Sequence, residues 1–298
     1  MLFQDYEQSF RELWNNITYY YAEIGHLNSL GMFCLCALIF MPLAWLFPGR
    51  KQPLIHKGMV ADTLYWFLGT PLIYGSAGRL IGQGLFYLFF VGGIYSVASL
   101  NHIREGLPLV STLPVLLQAF LILLIMDFIQ YWTHRMFHTR KFWDFHAIHH
   151  SPANVDWLTS ARFHPVNIII HSTCVGALVY MIGFSPEAWV ILAPFNIIYS
   201  PLVHANVNWT YGPFRYFLAS PAFHRWHHTY FEEGGNKNFA PTFPFIDIVF
   251  GTYYDPKGKR PEVFGIAGNP VSDNIFAQLI YPFRRKREIQ EGERHAQV

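Results

Sequence analysis

Charge is what this sequence has least of. Asp, Glu, Lys and Arg make up 13% of its 298 residues, where a soluble domain carries about a quarter. So few ionised side chains cannot coat a globule of this size, which excludes an ordinary soluble protein and makes a lipid bilayer the expected cover. Cysteine is also scarce. Cys34, Cys36 and Cys174 all sit in apolar runs, which excludes a disulfide framework or a cysteine zinc motif and reads as small buried side chains. Met1 to Glu23 has no basic stretch leading into an apolar core, so no cleavable signal peptide is expected. A G-x-G-x-x-G fingerprint is missing, and with it the expectation of a bound flavin or nicotinamide. There is no internal repeat, the net charge of +2 says little, and no nucleic-acid partner is expected.

Apolar length is what the chain has instead. Hydrophobic residues make up 52% and aromatic residues 18%. A helix crosses a bilayer with about 20 apolar residues, and four or five segments approach that. They are Leu30 to Phe47, closed by Pro48-Gly49-Arg50-Lys51; Met59 to Ala77, weakened by Asp62, Gly69 and Pro71; Leu80 to Leu100; Leu113 to Met126, which runs on through Asp127; and Val166 to Val203. The last is long enough for a hairpin broken at Gly183-Phe-Ser-Pro186. Of the 21 Lys and Arg, Arg11, Arg50, Lys51, Lys57, Arg79 and Arg104 precede residue 112, none lies between Leu113 and Thr133, and the rest follow. The positive-inside rule places that later half in the cytoplasm.

Fifteen histidines are the outstanding surplus. Three clusters hold most of them: His134 and His138; His146, His149 and His150; His224, His227 and His228. His204 stands alone. Residues three and four apart share one helix face, so each cluster aims two or three imidazoles at one point. Imidazole is a common ligand for iron, zinc and copper, and so many exceed what one ion can take, so two metals are expected. The plainer reading, histidines as core or surface residues, suits a lone imidazole but not adjacent buried ones, which oppose one another's charging. His26, His56, His102, His171 and His295 fit no ligand pattern and take that plainer reading. His164, in Arg162-Phe-His-Pro165, is read as a structural or orienting group, with metal ligation as the alternative.

These motifs, in this order, resemble the fatty acid hydroxylase/sterol desaturase superfamily of membrane-bound di-iron enzymes. The resemblance runs from Met126 to Tyr254. It is carried by Asp127-Phe-Ile-Gln-Tyr-Trp-Thr-His134-Arg-Met-Phe-His138, by Trp143-Asp-Phe-His146-Ala-Ile-His149-His150-Ser, by Phe223-His224-Arg-Trp-His227-His228, and by Asp247-Ile-Val-Phe250-Gly251-Thr252. There are departures. Asn236-Lys-Asn238-Phe-Ala stands where relatives carry N-x-N-Y-G, Ile246 where many have Trp, and Asn208 where some have a further histidine. Asn208 is therefore a further ligand candidate, directly or through water.

The resemblance implies an all-α integral membrane protein of about four transmembrane helices under a cytosolic, helical, histidine-rich cap. It implies two Fe ions, with Zn possible as isolated, that use O2 to attack an unactivated C–H bond of a lipid substrate of sterol, fatty acyl or alkylglycerol type. No His-Pro-Gly-Gly segment is present, so electrons are expected from a separate donor of cytochrome b5, ferredoxin or reductase type. Asp127, Asn238 and Asp247 are the candidates for holding imidazole N–H groups in place. The expected division is membrane-anchoring helices over 1–112, a di-metal catalytic domain over 113–255 and a charged tail over 256–298. Bacterial inner membrane and endoplasmic reticulum are equally compatible. The main rival is a membrane metal-binding or transport protein, which would place ligands near the bilayer midplane rather than at helix ends. A zinc hydrolase would want a Glu inside a histidine motif, and none is there.

Overall fold

A computed structural model describes residues 25–74, 110, 112–182 and 184–284 of the chain. Among them there is no strand; two isolated bridges, Pro48 with Val207 and Thr229 with Phe264, are the only β pairings. The expected apolar segment Leu80 to Leu100 lies outside the described residues.

Helix α1 spans Gly25–Leu46, and α2 spans Gly58–Leu64 and continues as a π-helical run over Tyr65–Tyr74. Helix α3 is Val115–Phe137. The apolar run from Val166 folds as the expected hairpin, α5 over Pro165–Ile182 and α6 over Pro186–His204. Ser185 caps α6, with its hydroxyl 3.4 Å from the Ala188 amide, ahead of a proline in the first turn; both signals are expected at a helix start. Gln118 on α3 accepts from the Ser185 amide at 2.9 Å and so ties the hairpin turn to α3. Ala119, Ile122 and Ile129 of α3 pack with Val175 of α5 and with Ala188 and Leu192 of α6.

Two described helices are long and apolar enough to cross a membrane, Ser29–Leu46 and Val115–Phe137, with Pro165–Val175 a shorter apolar stretch. About four transmembrane helices were expected; two of them fall on these described helices. Of the second expected segment, Met59 to Leu64 is α-helix and Tyr65–Tyr74 is π-helix, and α6 carries Pro194 and Pro201 inside it. The short elements form the cap: α4 over Trp143–His150, a 3₁₀ turn over Trp157–Ala161, α7 over Pro221–His227 and α8 over Pro244–Val249. The chain after 255, expected as a charged tail, is not all tail. Phe264 and Val271 are buried, and a helix α9 over 275–284 packs through Ile275 and Tyr281 against Ala147 and Ile148 of α4.

Asp62, the flaw in the second apolar segment, is wholly buried and accepts from the Arg162 guanidinium. Arg162 also donates to Gly58 O at 2.8 Å and to Ser151 Oγ at 3.3 Å. One guanidinium thus binds α2, the end of α4 and the turn before α5. Arg162→Met leaves a buried carboxylate unpaired and is expected to cost about 3–5 kcal/mol; thermal unfolding of the detergent-solubilised variant beside the parent checks it.

Candidate metal centre

Three long-helix ends meet the cap on one side. The last turns of α3 bring His134 and, one residue past the helix, His138; the first turn of α5 brings Asn167; and α6 ends at His204. Helix α4 adds His146, His149 and His150, and α7 with its C-cap adds His224, His227 and His228. Ser220 caps α7 by accepting from the Phe223 amide at 3.1 Å. All nine histidines come together, and they divide in two. His134, His138, His146, His150 and His227 form one group, and His149, His204, His224 and His228 form the other, with ring nitrogens within 4.8 Å of one another in each. The groups adjoin, since the stacked rings of His150 and His228 lie 4.7 Å apart.

The outer ring nitrogens are held by backbone carbonyls. Nδ1 of His134 donates to Phe239 O at 2.8 Å, of His149 to Arg162 O at 3.1 Å, of His204 to Ser200 O at 2.7 Å and of His227 to Lys237 O at 2.6 Å. His146 Nδ1 faces the Asn167 amide at 3.0 Å. The Asn167 oxygen is buried without a partner, so turning the amide over lets it accept from Nδ1–H. The Phe163 ring stacks on His149 at 4.1 Å.

This tautomer assignment decides what the inner nitrogens are. With Nδ1 carrying the proton, Nε2 is a bare lone pair. His149 and His204 set two such nitrogens 3.3 Å apart, and His134 and His146 set theirs 3.0 Å apart. His224 Nε2 lies 3.0 Å from His204 Nε2 and 3.3 Å from His228 Nε2. Where both Nδ1 atoms are held by carbonyls, as at His149 and His204, the facing lone pairs form no hydrogen bond; a cation between them resolves the conflict. Two nitrogens bound at about 2.1 Å to one ion lie roughly 3.0–3.4 Å apart, which is the spacing seen. Both ring nitrogens of His138, and Nε2 of His150 and His227, are buried with no partner. The donor set fits two metal ions.

Burial, aided by the neighbouring imidazoles, pushes His138, His146, His149, His150, His224 and His228 well below the ordinary histidine value of 6.5; His227 goes the same way against its bond to Lys237 O. They are neutral at pH 7, the form a metal needs. Burial also lowers Arg225, between the histidines of the third motif, to about 9.

Two candidates stand elsewhere. His164 is buried outside both groups, 3.2 Å from Leu279 O and accepting from the Val166 amide at 3.1 Å. Asn208 is exposed, and its backbone amide bonds Phe47 O at 3.1 Å; the chain turns outward after Ala205, so the position leaves the site. Asn206 is buried instead, accepting from Arg225 at 2.6 Å and from the Arg50 amide at 3.0 Å.

Asp127, Asn238 and Asp247 touch no imidazole, contrary to expectation. They hold the loop whose carbonyls do. Asp247 accepts from the Phe239 and Ala240 amides at 2.8 and 2.9 Å, and Asp127 from Thr242 and Phe243 at 2.7 and 2.8 Å. Asn238 clamps Phe223 O and both backbone groups of Tyr254. The left-handed residue of this loop is Asn238, at φ 58°, a conformation asparagine tolerates; Ala240 therefore replaces glycine without strain. Sequence reasoning missed Asn167, although a lone amide in an apolar helix start was a signal. It also passed over His171, whose Nδ1 lies 2.9 Å from Thr133 Oγ1 beside His134.

The comparisons with known proteins fall on this same region. The fatty acid hydroxylase family model matches residues 119–252. An ornithine lipid hydroxylase of Rhizobium tropici is 30% identical over 174 residues, covering 58% of this chain and 52% of its own. Methylsterol monooxygenase 2-2 of Arabidopsis thaliana is 30% identical over 196 residues, covering 61% and 70%. A sphingolipid C4-hydroxylase of Schizosaccharomyces pombe is 32% identical over 149 residues, covering 48% and 50%. The chain thus spans about half the length of two of these relatives and more of the third. No solved structure matches it. A helical protein whose helix ends gather two all-imidazole groups has, among its described residues, the donor set of a histidine-rich metal centre. The chain belongs to the fatty acid hydroxylase family.

Two outcomes follow from the site. Asn167→Leu removes the side-chain anchor of His146 and is expected to weaken metal retention about 10–100-fold, read by chelator competition. The metal-free protein should lose stability as pH falls below about 6.5: there the unfolded chain takes up protons that the buried imidazoles, with depressed values, refuse. Unfolding midpoints of chelator-treated protein, from about pH 8 to about pH 5, check the sign.

Proposed function

We propose that the protein is a membrane-bound non-haem di-iron oxygenase that hydroxylates or desaturates a lipid of sterol, fatty acyl or alkylglycerol type. One observation carries this: nine imidazoles divide into two groups whose inner nitrogens have only one another to face. His134, His138, His146, His150 and His227 would hold one ion, and His149, His204, His224 and His228 the other. A bound iron pair supplies what no side chain here has, the activation of O2 for attack on a C–H bond, with electrons from a separate donor of cytochrome b5, ferredoxin or reductase type.

The chain's own part is preparation. Carbonyls of Arg162, Ser200, Lys237 and Phe239 orient the rings. Burial keeps the ligands neutral and excludes water from the space between them. The three relatives described above are, by their names, hydroxylases or monooxygenases of an ornithine lipid, a methylsterol and a sphingolipid, which supports a lipid substrate reached from the bilayer. The site stands at the ends of α3 and α6, and the surplus of Lys and Arg after Thr133 supports a cytoplasmic side for it.

Metal analysis by mass spectrometry on protein purified in mild detergent, beside His149→Ala, is the test. Two irons per chain, reduced in the variant, are expected. Two zincs call for anaerobic iron reconstitution followed by a screen for oxygen-dependent lipid oxidation. A well-folded protein without metal, unchanged in the variant, overturns the reading.

A further inference from the structure

Helix α9 lies beyond the family match and has two contrasting faces. Asn274 starts it, its side-chain oxygen accepting from the Phe276 and Ala277 amides at 3.0 and 3.1 Å. The inner face packs on the cap: Ile275 and Tyr281 join Ala147, Ile148 and Val271, and the buried Gln278 donates to Ser272 O at 2.7 Å. The outer face carries Phe276, Ile280 and Phe283, which are 72%, 44% and 53% exposed. These positions are i, i+4 and i+7, one stripe along the helix. Three large apolar side chains in a row on an exposed face need a cover.

The height of this stripe is set by its contacts. Leu279 O lies 3.2 Å from His164 Nε2, and the Phe283 ring lies 5.7 Å from that of Phe145. His164 immediately precedes Pro165, where α5 begins its apolar run. So α9 sits where the chain passes from the polar cap into apolar helix, the level of the membrane–water interface. The sequence then adds four cations in succession, Arg284, Arg285, Lys286 and Arg287. An apolar stripe continued by a basic cluster is the pattern of a helix lying in the plane of an anionic membrane surface.

We propose that α9 is an in-plane membrane anchor that seats Phe276, Ile280 and Phe283 among the lipids of an anionic surface, to which the basic sequence that follows is complementary in charge. The run of four cations complements an anionic lipid surface, and this charge match selects lipid as the occupant. The inference is independent of the metals. It has a consequence for them, since α9 packs on α4, which carries His146, His149 and His150, and so holds the histidine cap down on the bilayer.

The test uses the full chain with F276C in a background of Cys34→Ala, Cys36→Ala and Cys174→Ala. A nitroxide attached at position 276 is read in vesicles of phosphatidylcholine with and without phosphatidylglycerol. Its relaxation by oxygen, which concentrates in lipid, is compared with relaxation by a water-soluble nickel chelate. The expected result is a label several-fold more accessible to oxygen than to nickel when phosphatidylglycerol is present. That preference should fall several-fold without the anionic lipid, at high salt, or when Arg284, Arg285, Lys286 and Arg287 are all replaced by Gln. Circular dichroism and gel-filtration elution matching the parent show that the variants are folded. Equal, high nickel access in both membranes overturns the anchor. A label shielded from oxygen and nickel alike overturns it in favour of a protein cover. Shielding that ignores lipid charge and the Gln replacements overturns the anionic specificity.

Discussion

Repulsion among imidazole lone pairs is the constraint on which this structure turns. Nine rings share one buried space, and the two groups they form contain no carboxylate among the described residues. Each neutral ring has one N–H and one lone pair. The N–H groups of His134, His149, His204 and His227 point outward to carbonyls, so their lone pairs point inward at each other. Protonation would relieve one contact only by placing a bare charge in a low dielectric, beside neighbours that resist it. Cations in the two spaces turn every one of these contacts from repulsive to bonding. The arrangement is therefore stable with metal and frustrated without it, and the large elements answer to that by delivering rings from several directions to the same two points.

The carbonyls that orient the rings come from unrelated parts of the chain, and each is fixed by its own device. Arg162 O is set by the guanidinium of the same residue, locked to Asp62 and Gly58. Ser200 O belongs to the last turn of α6. Lys237 O and Phe239 O flank Asn238, whose side chain is bonded at both ends. Orientation is thus enforced two steps out from the imidazoles, which is how metal sites commonly secure ligand geometry.

What was legible in the sequence divides along the same line. The histidines were readable because their spacing is local: three and four apart, each cluster makes a face by itself. The hairpin was readable because Gly183 and Pro186 break an apolar run near its middle. The carbonyl anchors were not readable, since any residue has a carbonyl and only the fold selects which one faces a ring. Asp127, Asn238 and Asp247 stood out correctly as polar groups in apolar surroundings, yet their partners are backbone amides rather than imidazoles. Asn208 was drawn in by its distance from His204, and a turn of the chain at Ala205 carries it to the surface.

The placing of Asp127 has its own logic. It sits inside α3, a helix apolar enough to span, where a carboxylate is costly unless used. Beside it run the irregular strip 239–243 and then α8: Phe243 meets Phe120, and Phe250 meets Phe128 and Trp132, a stretch of α3 roughly 18 Å long. Irregular backbone at that depth must have its N–H groups satisfied by protein. From residue 239 to residue 244 the accounting is complete. Phe239 and Ala240 donate to Asp247, Thr242 and Phe243 donate to Asp127, and Pro241 and Pro244 have no N–H to satisfy. Two carboxylates and two prolines let a non-helical strip lie against a helix long and apolar enough to span, and that strip brings Phe239 O to His134. The ionisable residue that looked out of place in an apolar helix is what permits the loop beside it, and through the loop the orientation of the first histidine.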